Sequence, residues 1–256
     1  MKISAVIIAR DEEAKIGAAI RSVEWADEVL LIDSESADKT REIAQDLGAR
    51  VIVNPWPGFS RQKQFGTDAA ANDWILSLDA DERVSPELAA EIQKLTKQPA
   101  SSLAAGYRIP RLSYYMGRAI RHSGWYPDRQ LRLFDRKRAR WNDNVIHESV
   151  RVDEGEKAEK LRGDILHFSV DSPAHHHEMI GTRYAPLGAR QMFERGKRTS
   201  PFGVAVAGPA AFIQGYLLKA GFLDGFPGFC IARFAAYHAY LKHLLLWELQ
   251  RKDDAT

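Results

Sequence analysis

The apolar run Leu76-Ser77-Leu78 leads directly into Asp79-Ala80-Asp81-Glu82, which sets two carboxylates one residue apart with a third behind them. Carboxylates at the end of a buried strand can reach a hard divalent cation. Mg2+ or Mn2+ prefers oxygen ligands together with substrate phosphates, so the pattern suits a nucleoside diphosphate. A solvated turn after a strand carries the same residue types. Asp33 ends a second apolar run, Leu30-Leu31-Ile32, and a carboxylate there can accept from nucleoside hydroxyl or N–H groups, or cap its own turn before Ser34.

Other clusters carry less. His147-Glu148 resembles the start of a zinc-protease helix, but the second histidine is missing, because that position is Arg151. His175, His176, His177 and Glu178 are adjacent residues of a helical segment, so they face different ways and cannot converge on one ion. The basic stretch from Arg129 to Arg140 interleaves Leu, Phe and Trp. It reads either as a contact for acceptor phosphates or anionic lipid, or as a strand with alternating solvated arginines.

The elements that must hold these residues follow from hydrophobic patterning. Ile3 to Ala9 is a continuous β-branched apolar run and predicts a buried parallel strand. Asp11 stands as the N-cap of a following helix with Ile16, Ile20 and Val23 on one face. A strand at 28–34, a helix at 37–47 closed by Gly48, a strand from Val51, a helix near 61–71 and a strand at 73–80 repeat the alternation. Ser85 and Pro86 then open a helix. Such alternation predicts an open α/β sheet, whose ligands bind at the carboxyl ends of the strands. The residues at those ends are Arg10 and Asp11, Asp33, and Asp79 with Asp81. From about Gly106 hairpins and long loops are expected, and from about Ser172 helices again, divided by Pro201, Pro209 and Pro227.

Composition narrows the class. The 36 Lys and Arg against 34 Asp and Glu argue against a surface built wholly for nucleic acid. Cys230 is the only cysteine, which rules out an internal disulfide and a Cys-rich zinc site. No G-x-G-x-x-G follows the first strand and no G-x-x-x-x-G-K-[ST] occurs, which removes Rossmann dehydrogenases and P-loop NTPases. The N-terminal apolar run is too short for a signal peptide or spanning helix, so the expected location is cytoplasmic. The apolar segments 203–218 and 229–247 are a poor match to spanning helices and are expected to lie on a membrane face, or else to pack on the core.

In order along the chain, IIARDEE, LLIDSESADKT, WPGFSRQKQFG and LSLDADE resemble the motifs of family 2 inverting glycosyltransferases. GWYPDRQLRLF, VIHESV, LHFSV and GFLDGFPGF extend the likeness to the branch that includes bacterial lipopolysaccharide inner-core β-1,4-glucosyltransferases. The resemblance implies a GT-A nucleotide-diphospho-sugar transferase fold of the α/β class, with a mostly parallel central sheet and a C-terminal helical extension. The implied catalytic domain is 1–170, with a donor half 1–100 and an acceptor half 101–170, and 171–256 is the membrane-proximal extension.

Carried over, the resemblance puts Ala9, Arg10 and Asp11 around the nucleobase, Asp33 on the nucleoside, and Lys63 with Gln64 beside the donor. Asp79 and Ala80 would contact the sugar nucleotide, with Asp79 on the ribose or the metal and Asp81 as the principal ligand of Mg2+ or Mn2+. His167 is a candidate for the same metal shell. Glu148 is the implied base that takes the acceptor's proton, with Asp128 as the alternative and His147 orienting the neighbouring loop. The family more often has Asn at the position of Asp11, and Arg-Asn where this chain has Lys63-Gln64. The implied reaction is inverting single displacement from a UDP-sugar, with glucose expected, to a lipopolysaccharide-core or lipid-linked saccharide. It would take place on the cytoplasmic face of the bacterial inner membrane, against an anionic surface. Two other classes stay open: a sugar nucleotidyltransferase, which usually needs a Gly-rich basic loop after the first strand, and a non-catalytic adaptor at the membrane.

Overall fold

Seven consecutive buried residues form the central strand β1 (Ile3–Ala9). It is flanked on both sides by parallel strands, β2 (Glu28–Asp33) and β4 (Trp74–Asp79). Burial on both faces explains why its sequence lacks polar alternation. Ile3, Ala5 and Ile7 join one hydrophobic cluster, while Val6 and Ile8 join another on the opposite face. The crossovers are α1 (Ile16–Arg21), α2 (Thr40–Asp46) before β3 (Arg50–Val53), and α3 (Phe59–Ala69).

The computed structural model describes residues 1–142, 148–170 and 172–254. After β4 come β5 (Glu82–Val84), which the sequence did not suggest, and α4 (Pro86–Thr96). Ser85 caps α4 by accepting from the Leu88 N–H at 3.1 Å, with Pro86 in the first turn, as expected. Beyond the alternating part lie β6 (Gly106–Tyr115), β7 (Arg118–Ala119), β8 (Asp128–Asp135), β9 (Ala139–Trp141), β10 (Val150–Val152), β11 (Ala158–Lys160) and β12 (Ile165–His167). The main sheet runs β3-β2-β1-β4-β8-β6-β12-β5, and its parallel half is extended by antiparallel β8 and β6.

Contacts divide the chain into two units, Met1–Arg111 with Asp128–His167, and Leu112–Pro127 with Phe168–Thr256. The segment Leu112–Pro127 therefore clusters with the C-terminal helices, whereas the sequence boundary at residue 170 leaves it with the sheet. The second unit contains α5 (Pro173–Met179), α6 (Ala185–Glu194), α7 (Pro201–Ile213) and α8 (Gly225–Asp253). Pro201 and Pro227 fall in first turns, but Pro209 does not divide α7, contrary to expectation. The carbonyl left without a donor by Pro209 is that of Ala205, a residue on the exposed side of the helix.

Gly66 sets how closely α3 lies on the sheet. A Cβ there would come 2.6 Å from Val6 Cγ1 and 2.9 Å from Ile32 Cγ1, both in buried strands. Mid-helix Gly to Ala ordinarily stabilises by up to about 1 kcal/mol. Here overpacking reverses the sign: Gly66→Ala is expected to destabilise by about 1–3 kcal/mol, seen as a lower urea midpoint at unchanged m-value.

Candidate active site at the carboxyl ends of the parallel strands

The register brings the strand-end residues together. Ala9 lies opposite Asp33 on one side, and Ile8 opposite Asp79 on the other. Asp11 is in the left-handed region, at φ 54°. It is not the cap of α1, which starts only at Ile16 after Lys15. Instead its carboxylate accepts from the Ala37 N–H at 2.7 Å, and its own N–H donates to Ser36 Oγ at 2.9 Å. Glu12 N–H to Thr40 Oγ1 and Glu13 N–H to Asp38 Oδ2 continue this lacing of the loops after β1 and β2. Arg10 is exposed beside it, and Ala9 and Ala80 are buried. Asp33 is fully buried; one oxygen accepts from the Ser36 N–H at 3.0 Å, the other from Ser36 Oγ, and Arg41 lies 3.8 Å away. Its carboxylate folds its own turn, the structural alternative of the sequence reading.

The centre of the site is an ion network absent from any single sequence motif. Lys63, on α3, is buried with Nζ 2.9 Å from Asp79 Oδ1 and 3.5 Å from Glu148 Oε1, and 5.2 Å from the centroid of the Trp141 ring. Arg132, on β8, reaches Asp79 Oδ2 at 3.1 Å and Glu82 Oε1 at 3.0 Å. Arg111, directly across from Asp128 in the β6–β8 pair, holds Asp128 Oδ2 at 2.6 Å and approaches Glu82 at 3.4 Å. Burial pushes the Asp79 carboxyl up, but the charges and hydrogen bonds of Lys63 and Arg132 outweigh it and hold it well below the usual carboxylate range. Burial likewise pulls Arg132 down, and Glu82 and Asp79 more than restore it. Arg132 Nη1 and Trp141 Nε1 are buried without a hydrogen-bond partner among the described residues. Two unmet donors therefore belong to the network around Lys63, in a chain where such groups ordinarily find partners.

Glu82, the third carboxylate of the triplet, is fully buried and accepts from the Asp79 N–H at 2.9 Å, closing the turn that carries Asp81. On the other side of that turn β12 pairs with β5, opposing His167 to Glu82, and His167 Nε2 lies 3.4 Å from Asp81 Oδ2. Two donors sharing one small divalent ion, with bonds of about 2.1 Å at right angles, stand about 3 Å apart. Asp81 and His167 fit that requirement. Asp79 does not belong to the pair, because both its oxygens face cations. No group of three or more His, Cys, Asp or Glu suited to a metal occurs among the described residues, so further positions would fall to phosphate oxygens and water.

The remaining candidates divide. Gln64 is anchored, donating to Asp68 at 2.8 Å and accepting from the Trp141 N–H at 3.1 Å. Its neighbour Gln62, which the sequence did not single out, is the buried link to Ser34 and Asn54. Asp128 is engaged by Arg111 and by Gln130 Nε2 at 2.7 Å. His147 lies outside the described residues. The basic stretch is largely neutralised internally: Arg132 is buried, and Arg136, Arg138 and Arg140 pair with Asp73, Glu156 and Asp153. These pairings favour the strand alternative of its sequence reading, with the arginines paired more than solvated. In the second unit the three histidines of α5 diverge as predicted, with His176 against Tyr115 and Phe234 and His177 stacked on Tyr237. Burial, then the charges of His175 and His238, lower His176 to about 4.

Residues 4–151 match the model of glycosyl transferase family 2, more than half of the chain. An uncharacterized glycosyltransferase of Rickettsia typhi is 33% identical over 98% of this chain and 89% of its own length. The lipopolysaccharide core biosynthesis glycosyltransferase LpsC of Rhizobium meliloti is 32% identical over 94% of this chain and 90% of its own. A solved glucosyl-3-phosphoglycerate synthase of Mycobacterium tuberculosis, in complex with Mn2+, UDP and glucosyl-3-phosphoglycerate, is 26% identical with a TM-score of 0.34, covering 45% of this chain and 44% of that one. The chain belongs to glycosyl transferase family 2. Its fold is GT-A, an α/β sheet followed by a C-terminal helical region, and its activity is glycosyl transfer.

Proposed function

We propose that this glycosyltransferase moves glucose from UDP-glucose to a saccharide of the lipopolysaccharide core or a related lipid-linked acceptor, by metal-dependent single displacement with inversion. The observation that carries the reading is the grouping of Glu148, Lys63 and Asp79 at the ends of the parallel strands that also carry Asp81 and its neighbour His167. Similarity to the Rhizobium lipopolysaccharide core biosynthesis glycosyltransferase supports the acceptor class. The acceptor is lipid-borne, and transfer takes place at the cytoplasmic face of a membrane.

Charge supports the metal. Lys63, Arg111 and Arg132 stand against Asp79, Asp81, Glu82, Asp128 and Glu148, three cations against five carboxylates. A diphosphate would meet a net negative site unless a divalent cation came with it. Mg2+ or Mn2+ held by Asp81 and His167 would supply charge neutralisation on the departing diphosphate. Lys63 and the unmet donors of Arg132 and Trp141 offer further partners for phosphate or sugar oxygens. Glu148 takes the proton of the acceptor hydroxyl as it attacks the anomeric carbon.

Calorimetric titration of UDP, GDP and ADP, with Mn2+ or Mg2+ and with chelator, tests the donor side. UDP alone is expected to bind, in a metal-dependent way, and Asp81→Ala is expected to weaken it at least about tenfold, the loss of one charge-assisted ligand. Equal binding with chelator, or no effect of Asp81→Ala, would remove the metal from the reading, and release of pyrophosphate instead of UDP in turnover would favour a nucleotidyltransferase.

A further inference from the structure

The helix α7 buries the wrong side for a helix in water. From Pro201 to Leu218, through a π turn at Gln214–Leu218, the chain contains no charged residue. Its buried residues are small or slender: Val204, Gly208 and Gly215. At Gly208 a Cβ would lie 3.2 Å from the Ala236 carbonyl oxygen of α8, so the two backbones approach closely. Phe212 and Tyr216 are half-buried against Phe229 of α8, but the other large apolar side chains point away from it. Phe202, Val206, Ile213 and Leu217 succeed one another at helical spacing on the exposed stripe, and Leu218 and Phe226 extend it. Phe202 is 75% exposed and Leu218 78%. An amphipathic helix in water does the reverse, whereas helices packed in lipid meet through small residues and present large apolar ones to the acyl chains.

Charge identifies the lipid. The second unit carries twelve Lys and Arg against seven Asp and Glu, a net +5, while the first carries 24 against 27, a net −3. Arg195 and Lys197 precede the apolar stretch, beside Arg198, which pairs with Asp253 and Asp254, and Lys219 follows it. We propose that the exposed face of α7 and the start of α8 docks into an anionic phospholipid bilayer, lying in its surface. Pro201–Leu218 is long and apolar enough to cross a membrane by length and composition alone. Its partner argues for the plane of the surface, since α8, packed along it, carries Arg233 and Lys242.

This surface deepens the lipid-borne acceptor reading and is tested without donor or acceptor, so each can fail alone. The full chain is sedimented with vesicles of phosphatidylcholine, and of phosphatidylcholine with phosphatidylglycerol in equal parts. The triple variant Phe202→Gln, Leu217→Gln, Leu218→Gln is compared with it. The wild-type chain is expected to partition onto the anionic vesicles, and the variant to lose at least about tenfold of that partition with an unchanged circular dichroism spectrum and melting curve. All three side chains are exposed, so the fold does not depend on them. Failure of the wild type to bind, or equal binding by the variant, overturns the proposal. So does light scattering that shows a dimer in the absence of lipid, abolished by the triple variant, because the face would then belong to a second copy.

Discussion

Glu148→Gln is expected to lower kcat by about 10²- to 10⁴-fold, the usual contribution of a positioned general base. Gln keeps the shape of the side chain but removes its negative charge and with it the capacity to accept a proton. The Lys63 Nζ, 3.5 Å from Glu148, is held at 2.9 Å by Asp79, so the substitution leaves the cation with its nearer partner. Metal-dependent UDP affinity should therefore change less than about threefold, and kcat should fall with kcat/KM, as for an interaction made only in the transition state. Steady-state transfer assays with paired calorimetry check both halves. Asp128→Asn is the comparison. Its carboxylate is already held by Arg111 at 2.6 Å and by Gln130 at 2.7 Å, so it would have to break both contacts to serve as base. If Asp128→Asn abolishes turnover and Glu148→Gln does not, the roles exchange; if neither matters, the base lies elsewhere.

The sheet could be read from the sequence because its parallel strands are buried on both faces and advertise themselves as β-branched runs. The register then does the rest: Asp33 and Asp79 flank the end of β1 because their strands pair with it on opposite sides. What sequence could not supply was the side-chain partner at long range. Arg132 looks like one more arginine of a basic strand, and only the packing of β8 against β4 brings it to Asp79 and Glu82, 53 and 50 positions earlier. Asp11 looks like a helix cap, and its left-handed conformation is decided by hydrogen bonds to Ser36 and Ala37 on the neighbouring loop. Composition likewise hid the inversion of α7, since an apolar stretch has no visible inside until its small residues are seen facing α8.

Asp79→Asn is expected to cost about 3 kcal/mol of stability at neutral pH, the lower end of the range for removing one partner of a buried ion pair, because Lys63 and Arg132 are buried while the Asp79 side chain is a quarter exposed. It leaves buried Lys63 with only the longer contact to Glu148, and Arg132 with Glu82 alone. The pH dependence has a definite sign. The folded Asp79 carboxyl is held below its unfolded value of about 3.9, so its contribution is complete above that value and is lost as pH falls through the folded one. The gap between wild type and Asp79→Asn should therefore be widest from neutrality down to about pH 4 and narrow below it. Urea unfolding at a series of pH values measures the gap directly, and carboxylates distant from the network cancel in the difference. Arg132→Met should be destabilising too, because Glu82 is fully buried and would keep the Asp79 N–H but, as its cation, only Arg111 at 3.4 Å. Since Asp79 and Arg132 are partners, the double variant should lose less than the sum of the two single losses. Additive losses, or a gap that does not change with acid, would mean that the two side chains contribute independently and that the network around Lys63 does not act as a unit.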